Sequence, residues 1–244
     1  MLEDKTIILK NLTIEEFKKK KLFLPDENSW INKTLLHMGY PDLNRTNAMI
    51  IEMVKATSES VKALIKPSFL FKTIPLESYN KKGFQTKSFN IKSNNWGKIA
   101  SYLCGTQYVC CFAFTLGIQC EEKIKELGSD SIMPAFIWDA LLSTMAEHFA
   151  DQTEAFIKYQ FIKQGMSITR RFSPGYCDLE FLQGQTALFN FCKPEKIGIK
   201  INKKSGLMIP RKSITGFVIA AEKVPYTQPC DFCTRNCKDR RLNN

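Results

Sequence analysis

The stretch from Arg170 to Phe189, RRFSPGYCDLEFLQGQTALF, holds residue types that can grip a charged ligand. Arg170 and Arg171 precede an aromatic, then come Ser173, Pro174, Gly175 and Tyr176. Pro174-Gly175 is a turn dipeptide: Pro presets φ and Gly tolerates φ > 0. Such a turn brings bare backbone close to whatever lies in front of it. Arg171 offers a planar fork of donors suited to a carboxylate or phosphate, and Tyr176 offers a ring face and a hydroxyl. Taken alone, the same residues also suit a solvated loop. A second cluster closes the chain: Cys230, Cys233 and Cys237, spaced C-x2-C-x3-C beside Arg235, Lys238, Arg240 and Arg241. Neighbouring cations favour the thiolate, the form that ligates metal. A soft all-sulfur site selects zinc or an iron–sulfur cluster. Closed zinc sites take four ligands and a [4Fe–4S] cluster ordinarily takes four Cys. Cys177 and Cys192 are the nearest sources of a fourth, unless an iron keeps a non-protein ligand. The alternative is three thiols with no metal.

Three further segments accompany the loop in chain order: Thr115-Leu116-Gly117, Ala146-Glu147-His148-Phe149-Ala150, and a segment with Met208, Pro210, Ser213, Thr215 and Gly216. Together with R-x-x-P-G-Y, this set resembles the activation (reactivation) domain of cobalamin-dependent methionine synthase, here as a stand-alone protein with a C-terminal Cys cluster. The resemblance runs from about Gly105 to Ala221. It implies an S-adenosylmethionine site in which Arg171 binds the methionine carboxylate. The backbone of Ser173, Pro174 and Gly175 would meet the adenine or ribose, Tyr176 would line the pocket or face the corrin, and Glu147 would take the amino or ribose end. It implies no catalytic acid or base, because the cofactor carries the chemistry and the protein supplies position and electrostatics. The cobalamin would be carried by a partner, a corrinoid-binding protein or a split methionine synthase, since the sequence holds no D-x-H-x-x-G. Activation in that family consumes an electron, so a reductant such as ferredoxin or flavodoxin is expected. For the same reason the tail at Cys230, Cys233 and Cys237 reads as a [4Fe–4S] site, with zinc as the alternative.

The chain has 244 residues, 44% hydrophobic and 24% charged, which suffices for one large domain. Its net charge of +11 attracts anionic partners without identifying them. No interleaved aromatic and basic motif points to nucleic acid, and neither a GxGxxG nor a P-loop pattern is present. The opening MLEDKTIILK is charged where a secretory signal would be apolar. A reducing cytoplasm is therefore expected, where cysteines are core residues, metal ligands or redox groups. Ile99 to Cys120 carries no charge and is long enough on paper to span a bilayer. Its Gly, Ser, Thr and Gln residues parse instead as helix end, turn and strand.

Periodicity predicts the elements that must position these residues. A capping-box helix is expected over 13–21. Further helices are expected at Asp26–Met38, Asn44–Ile65, Ser93–Leu103, Ile118–Leu127, Asp130–Gln164 and Glu180–Phe191. Strands are expected at Phe69–Ile74, Phe84–Ile91, Gln107–Leu116 and Ile197–Asn202. The fold class is α/β of the α+β kind: a mainly antiparallel twisted sheet flanked by helices. Its parts are an N-terminal helical and strand part (1–92), a core bearing the S-adenosylmethionine loop (93–225) and a Cys-rich metal-binding tail (226–244). Two competing functions follow from other features. One is an electron-transfer or interaction protein that binds iron–sulfur or zinc on this fold without S-adenosylmethionine. The other is a basic nucleic-acid module with a zinc tail.

Overall fold

A charge-free strand cannot rest at a wet edge without exposing apolar surface, and most of the run from Ile99 to Cys120 lies in the middle of a sheet. The computed structural model describes residues 6–10, 27–176, 178–227 and 229–233, so the helix expected over 13–21 lies outside them. The elements are β1 (Thr6–Leu9), α1 (Glu27–His37), α2 (Ala48–Leu64), β2 (Ser68–Pro75), β3 (Ser78–Asn80), β4 (Gly83–Gln85), β5 (Asn90–Lys92) and α3 (Trp96–Ala100). They continue with β6 (Cys104–Thr115), α4 (Gln119–Asp130), α5 (Ile132–Ile162), β7 (Ser167–Ile168), α6 (Phe181–Cys192), β8 (Lys200–Ile201), β9 (Met208–Ile209), β10 (Ser213–Lys223) and α7 (Pro229–Phe232). Among the described residues, the main sheet runs β1-β2-β6-β10-β7 and every pairing in it is antiparallel. This is the expected antiparallel sheet flanked by helices.

The strand period of two divides the core. Cys110, Phe112 and Phe114 of β6 join Phe69 and Phe71 of β2 and Val218 and Ala220 of β10 on one face. There they meet α1, α2 and α5. Val109, Cys111 and Ala113 point the other way, with Leu70, Phe217 and Ile219, toward α6, α3 and the small β3-β4-β5 sheet. Both faces are covered, which explains an unbroken apolar run rather than an alternating one. The span weighed as a membrane segment is thus a helix end followed by β6, and among the described residues no helix is long and apolar enough to cross a membrane.

Helix α5 is the spine of the first face. Leu141, Leu142, Met145, Phe149, Ile157 and Phe161 are fully buried along it, and Phe149 stacks on Phe114 with centroids 5.7 Å apart. Its length matches the expectation for Asp130–Gln164 closely. Other expectations need correction. Phe84–Ile91 is not one strand: Thr86 bonds to Phe89 through both its amide and its hydroxyl, and this local turn separates β4 from β5. Ile197–Asn202 shortens to β8, because a 3-10 turn over Pro194–Ile197 ends at Gly198 with φ 83°. The edge strand β1, four residues long, has no counterpart among the expected strands.

Behind the Arg170–Phe189 stretch, β10 must come very close to the turn. Phe172 and Phe217 exchange both backbone hydrogen bonds at 2.8 Å, and their rings stack 5.4 Å apart. A Cβ added at Gly216 would lie 2.7 Å from the Phe172 carbonyl oxygen, 2.9 Å from the Phe112 ring and 3.0 Å from Ser173 Oγ. Gly216→Ala is therefore expected to destabilise the fold by about 1–3 kcal/mol through overpacking. Denaturant unfolding checks this, and an unchanged midpoint would show that loop and strand separate freely.

Candidate functional site

The turn takes the geometry its sequence demands. The Tyr176 amide donates to the Ser173 carbonyl at 3.1 Å, with Pro174 at the second position and Gly175 at the third with φ 88°. That is a type II turn, and only glycine adopts the third position without strain. One arm of the turn is fixed by the Phe172–Phe217 bridge and by the Arg170 amide on the Thr227 carbonyl, 2.9 Å. The other is fixed by Asp178, which accepts from the Ser93 hydroxyl at 2.8 Å, from the Asn95 amide at 3.2 Å and from the Asn94 amide. Partial burial alone would raise the Asp178 pKa, but these donors outweigh it and hold the carboxyl below its usual range.

In front of the turn lies a cavity of about 260 Å³. Glu147 reaches it from α5, Arg171, Ser173, Pro174 and Tyr176 from the turn, and Ser213, Ile214 and Thr215 from the start of β10. Residues singled out in the sequence more than twenty positions apart thus share one wall. Gly175 is not among the lining residues; it shapes the turn. The Met208–Gly216 segment contributes Met208, Ser213 and Thr215 to the lining and supplies the close approach at Gly216.

Arg171 stands in the wall, but its guanidinium is already engaged. Nη2 donates to Glu147 at 2.9 Å, and Nη1 donates to Asp151 and to Glu154 at 3.4 Å. Its own amide donates to Glu154 at 3.0 Å. Burial works against the charge on Arg171, and the carboxylates of Asp151, Glu147 and Glu154 overcome it and hold its pKa above the ordinary value. Glu154, 1% exposed, also accepts from the Tyr226 hydroxyl at 2.5 Å and faces Arg170 Nε at 3.6 Å. Burial, then the Glu154 charge, pushes the Tyr226 phenol upward, so it stays a donor. Sequence reasoning picked out Glu147 and missed Asp151, Glu154 and Tyr226. A signal was present: positions 147, 151 and 154 fall at i, i+4 and i+7, one face of a helix. His148 is half-buried beside the Trp30 ring, and His37 is exposed at the end of α1.

Cys230 also lines the cavity. It sits on α7, and the Cys233 amide donates to its carbonyl at 3.4 Å, so the two cysteines are one helical turn apart. Thr227 Oγ1 donates to Asp231 at 3.0 Å across the start of that turn. Cys237 lies outside the described residues, as does Cys177, one of the suggested fourth ligands. The other, Cys192, is buried at the end of α6 beside Cys111. Among the described residues no group of three His, Cys, Asp or Glu side chains is placed so that it could hold a metal ion.

The Arg171 cluster makes a measurable demand on stability. Arg171→Met would leave the buried Glu154 without its main counter-charge, and a loss of about 3–5 kcal/mol is expected. Adding Glu154→Gln should recover part of it. Equal unfolding midpoints for wild type and Arg171→Met would show that the pairs add nothing.

The chain has a structural counterpart in a crystal structure of the MetH reactivation domain bound to AdoHcy, with a TM-score of 0.64, 12% identity, and coverage of 94% of this chain and 84% of that one. At that identity the likeness shows the fold. No curated protein sequence matches. The family model for the vitamin B12 dependent methionine synthase activation domain matches residues 98–239, more than half of the chain, and includes the turn, the lining residues of α5 and β10, and the tail with Cys230, Cys233 and Cys237. The chain therefore belongs to the vitamin B12 dependent methionine synthase activation domain family.

Proposed function

We propose that this chain binds S-adenosylmethionine in the cavity before the Pro174-Gly175 turn and presents its methyl group to a corrinoid carried by another protein. One observation carries the reading. Glu147, Arg171, Ser173, Pro174 and Tyr176, chosen from sequence, line a single cavity built from α5, the turn and β10. The AdoHcy held by the structurally similar MetH domain supports it. In this reading the ligand carboxylate reaches Arg171 by taking the place of Asp151, whose side chain is 45% exposed and can return to water. Glu147, 38% exposed, accepts from the ligand's amino group or ribose, while the buried Glu154 keeps Arg171 in place. Tyr176, itself exposed, stands at the rim, toward an arriving corrin.

The reaction served is reductive methylation of inactive cob(II)alamin in a split methionine synthase or a related corrinoid methyltransferase. One electron from a reductant such as a ferredoxin or flavodoxin reduces the cobalt. A cobalt–carbon bond then forms as the sulfur–methyl bond breaks. The electron pair of the broken bond stays on sulfur, giving S-adenosylhomocysteine. The chain acts by holding the sulfonium methyl in line, an effect of proximity and orientation. A cytoplasmic setting suits this chemistry. Calorimetric titration with S-adenosylmethionine tests the site. Wild type should bind, and Glu147→Gln should bind about tenfold more weakly, the equivalent of one charge-assisted hydrogen bond. No binding by either protein would overturn the reading.

The tail is a separate part of the proposal. Cys230 and Cys233 present two sulfurs one helical turn apart, a fit for two ligands of one metal, and Cys237 follows in sequence. When bound, a [4Fe–4S] cluster would supply an electron route beside the cavity, and zinc would supply structure only. Iron, sulfide and zinc analysis of protein prepared without oxygen should find iron and sulfide. Finding only zinc would remove the electron route, and finding none of the three would remove the metal site.

A further inference from the structure

The cavity wall holds two chemically different groups of residues. Arg170, Arg171, Glu147 and Glu154 make one of them charged. Pro174, Phe181 and Thr215 belong to the other, and so does Gln185, which the function above does not use. Gln185 sits on α6 one turn after Phe181 and is 2% exposed. Thr215 Oγ1 donates to its Oε1 at 2.9 Å, and in this arrangement Nε2 is the other end of the amide. Its Nε2 has no hydrogen-bond partner, the one such buried side-chain atom in this cavity's wall among the described residues. An amide donor held out of water and left unpaired is unfavourable, and native structures seldom tolerate one without a use. Nothing about packing calls for it, because methionine would fill the same volume.

We propose that Gln185 is a ligand-recognition residue whose Nε2 donates to an acceptor of the adenosine part of the bound ligand. This rests on the S-adenosylmethionine reading. The charged group matches the zwitterionic amino acid. The neutral group, with an aromatic ring, a proline and one unpaired donor, matches a heterocycle and ribose, whose ring nitrogens and oxygens are acceptors. Thr215 acts through Gln185 as the positioning residue that sets the amide's direction. The segment holding Thr215 thereby gains a role beyond the close packing at Gly216.

The test removes the pair together. Gln185→Met with Thr215→Val replaces both partners by apolar groups of similar shape, a change that can be nearly neutral for stability. The double variant should keep its unfolding midpoint and bind S-adenosylmethionine about tenfold more weakly than wild type, in line with one lost hydrogen bond. Gln185→Glu is the second measure, titrated with S-adenosylhomocysteine, whose net charge is zero. It keeps the acceptor for Thr215 and replaces the amide donor by a second carboxylate oxygen, so a loss at least as large is expected. Wild-type affinity in either variant overturns the role of Gln185 and leaves the proposed function standing. A wild-type protein that binds neither ligand overturns both.

Discussion

The guanidinium of Arg171 is almost wholly out of water, and a buried charge must be met by opposite charges and hydrogen bonds or it will not stay there. Three acids of α5 meet it, each one helical turn or so from the next. The consequence is mechanical as well as electrostatic. The Arg170–Tyr176 segment has little regular structure of its own, yet Glu154 ties both its side chain and its backbone amide to the longest helix of the fold. The Phe172–Phe217 bridge ties the next residue to the sheet. A turn between those anchors is held from two layers at once, which is what a site on a loop needs to keep its geometry.

Each contact with the turn has a distinct cause. Helix α5 supplies charge, and the absence of a side chain at Gly216 supplies closeness. Asp178 secures the far arm on the amides before α3, which couples the turn to the small three-stranded sheet. The cavity is what remains between these anchors. Its charged lining follows from the need to satisfy Arg171, and its neutral lining comes from α6 and the start of β10. One cavity wall therefore carries a charged cluster beside a neutral one.

Much of this was legible in the sequence. The charge-free run around β6 announced a strand covered on both faces, and the long apolar period before Gln164 announced α5. Pro174-Gly175 announced a turn, and Gly175 has the positive φ that the dipeptide implied. These are local properties, set by sterics and by the period of the apolar residues. Where local chemistry competed with the pattern, as at Thr86 and at Pro194–Gly198, side-chain hydrogen bonds and a tight turn cut the strands short.

The residues that complete the site were not legible, for a physical reason. Asp151 and Glu154 look like ordinary helical acids until the turn folds onto α5. Tyr226 and Gln185 look like a loop residue and a helix residue. What makes them part of the site is desolvation and the identity of a neighbour 17, 72 or 30 positions away. Burial is a property of the packed layers, and no window of sequence contains it. The sequence by itself therefore determined the turn, its arginine, the glycines that bend and approach, and the family. Only the tertiary structure decided that the arginine is held by three carboxylates, that Cys230 reaches the same cavity, and that one amide donor in its wall is left to be met.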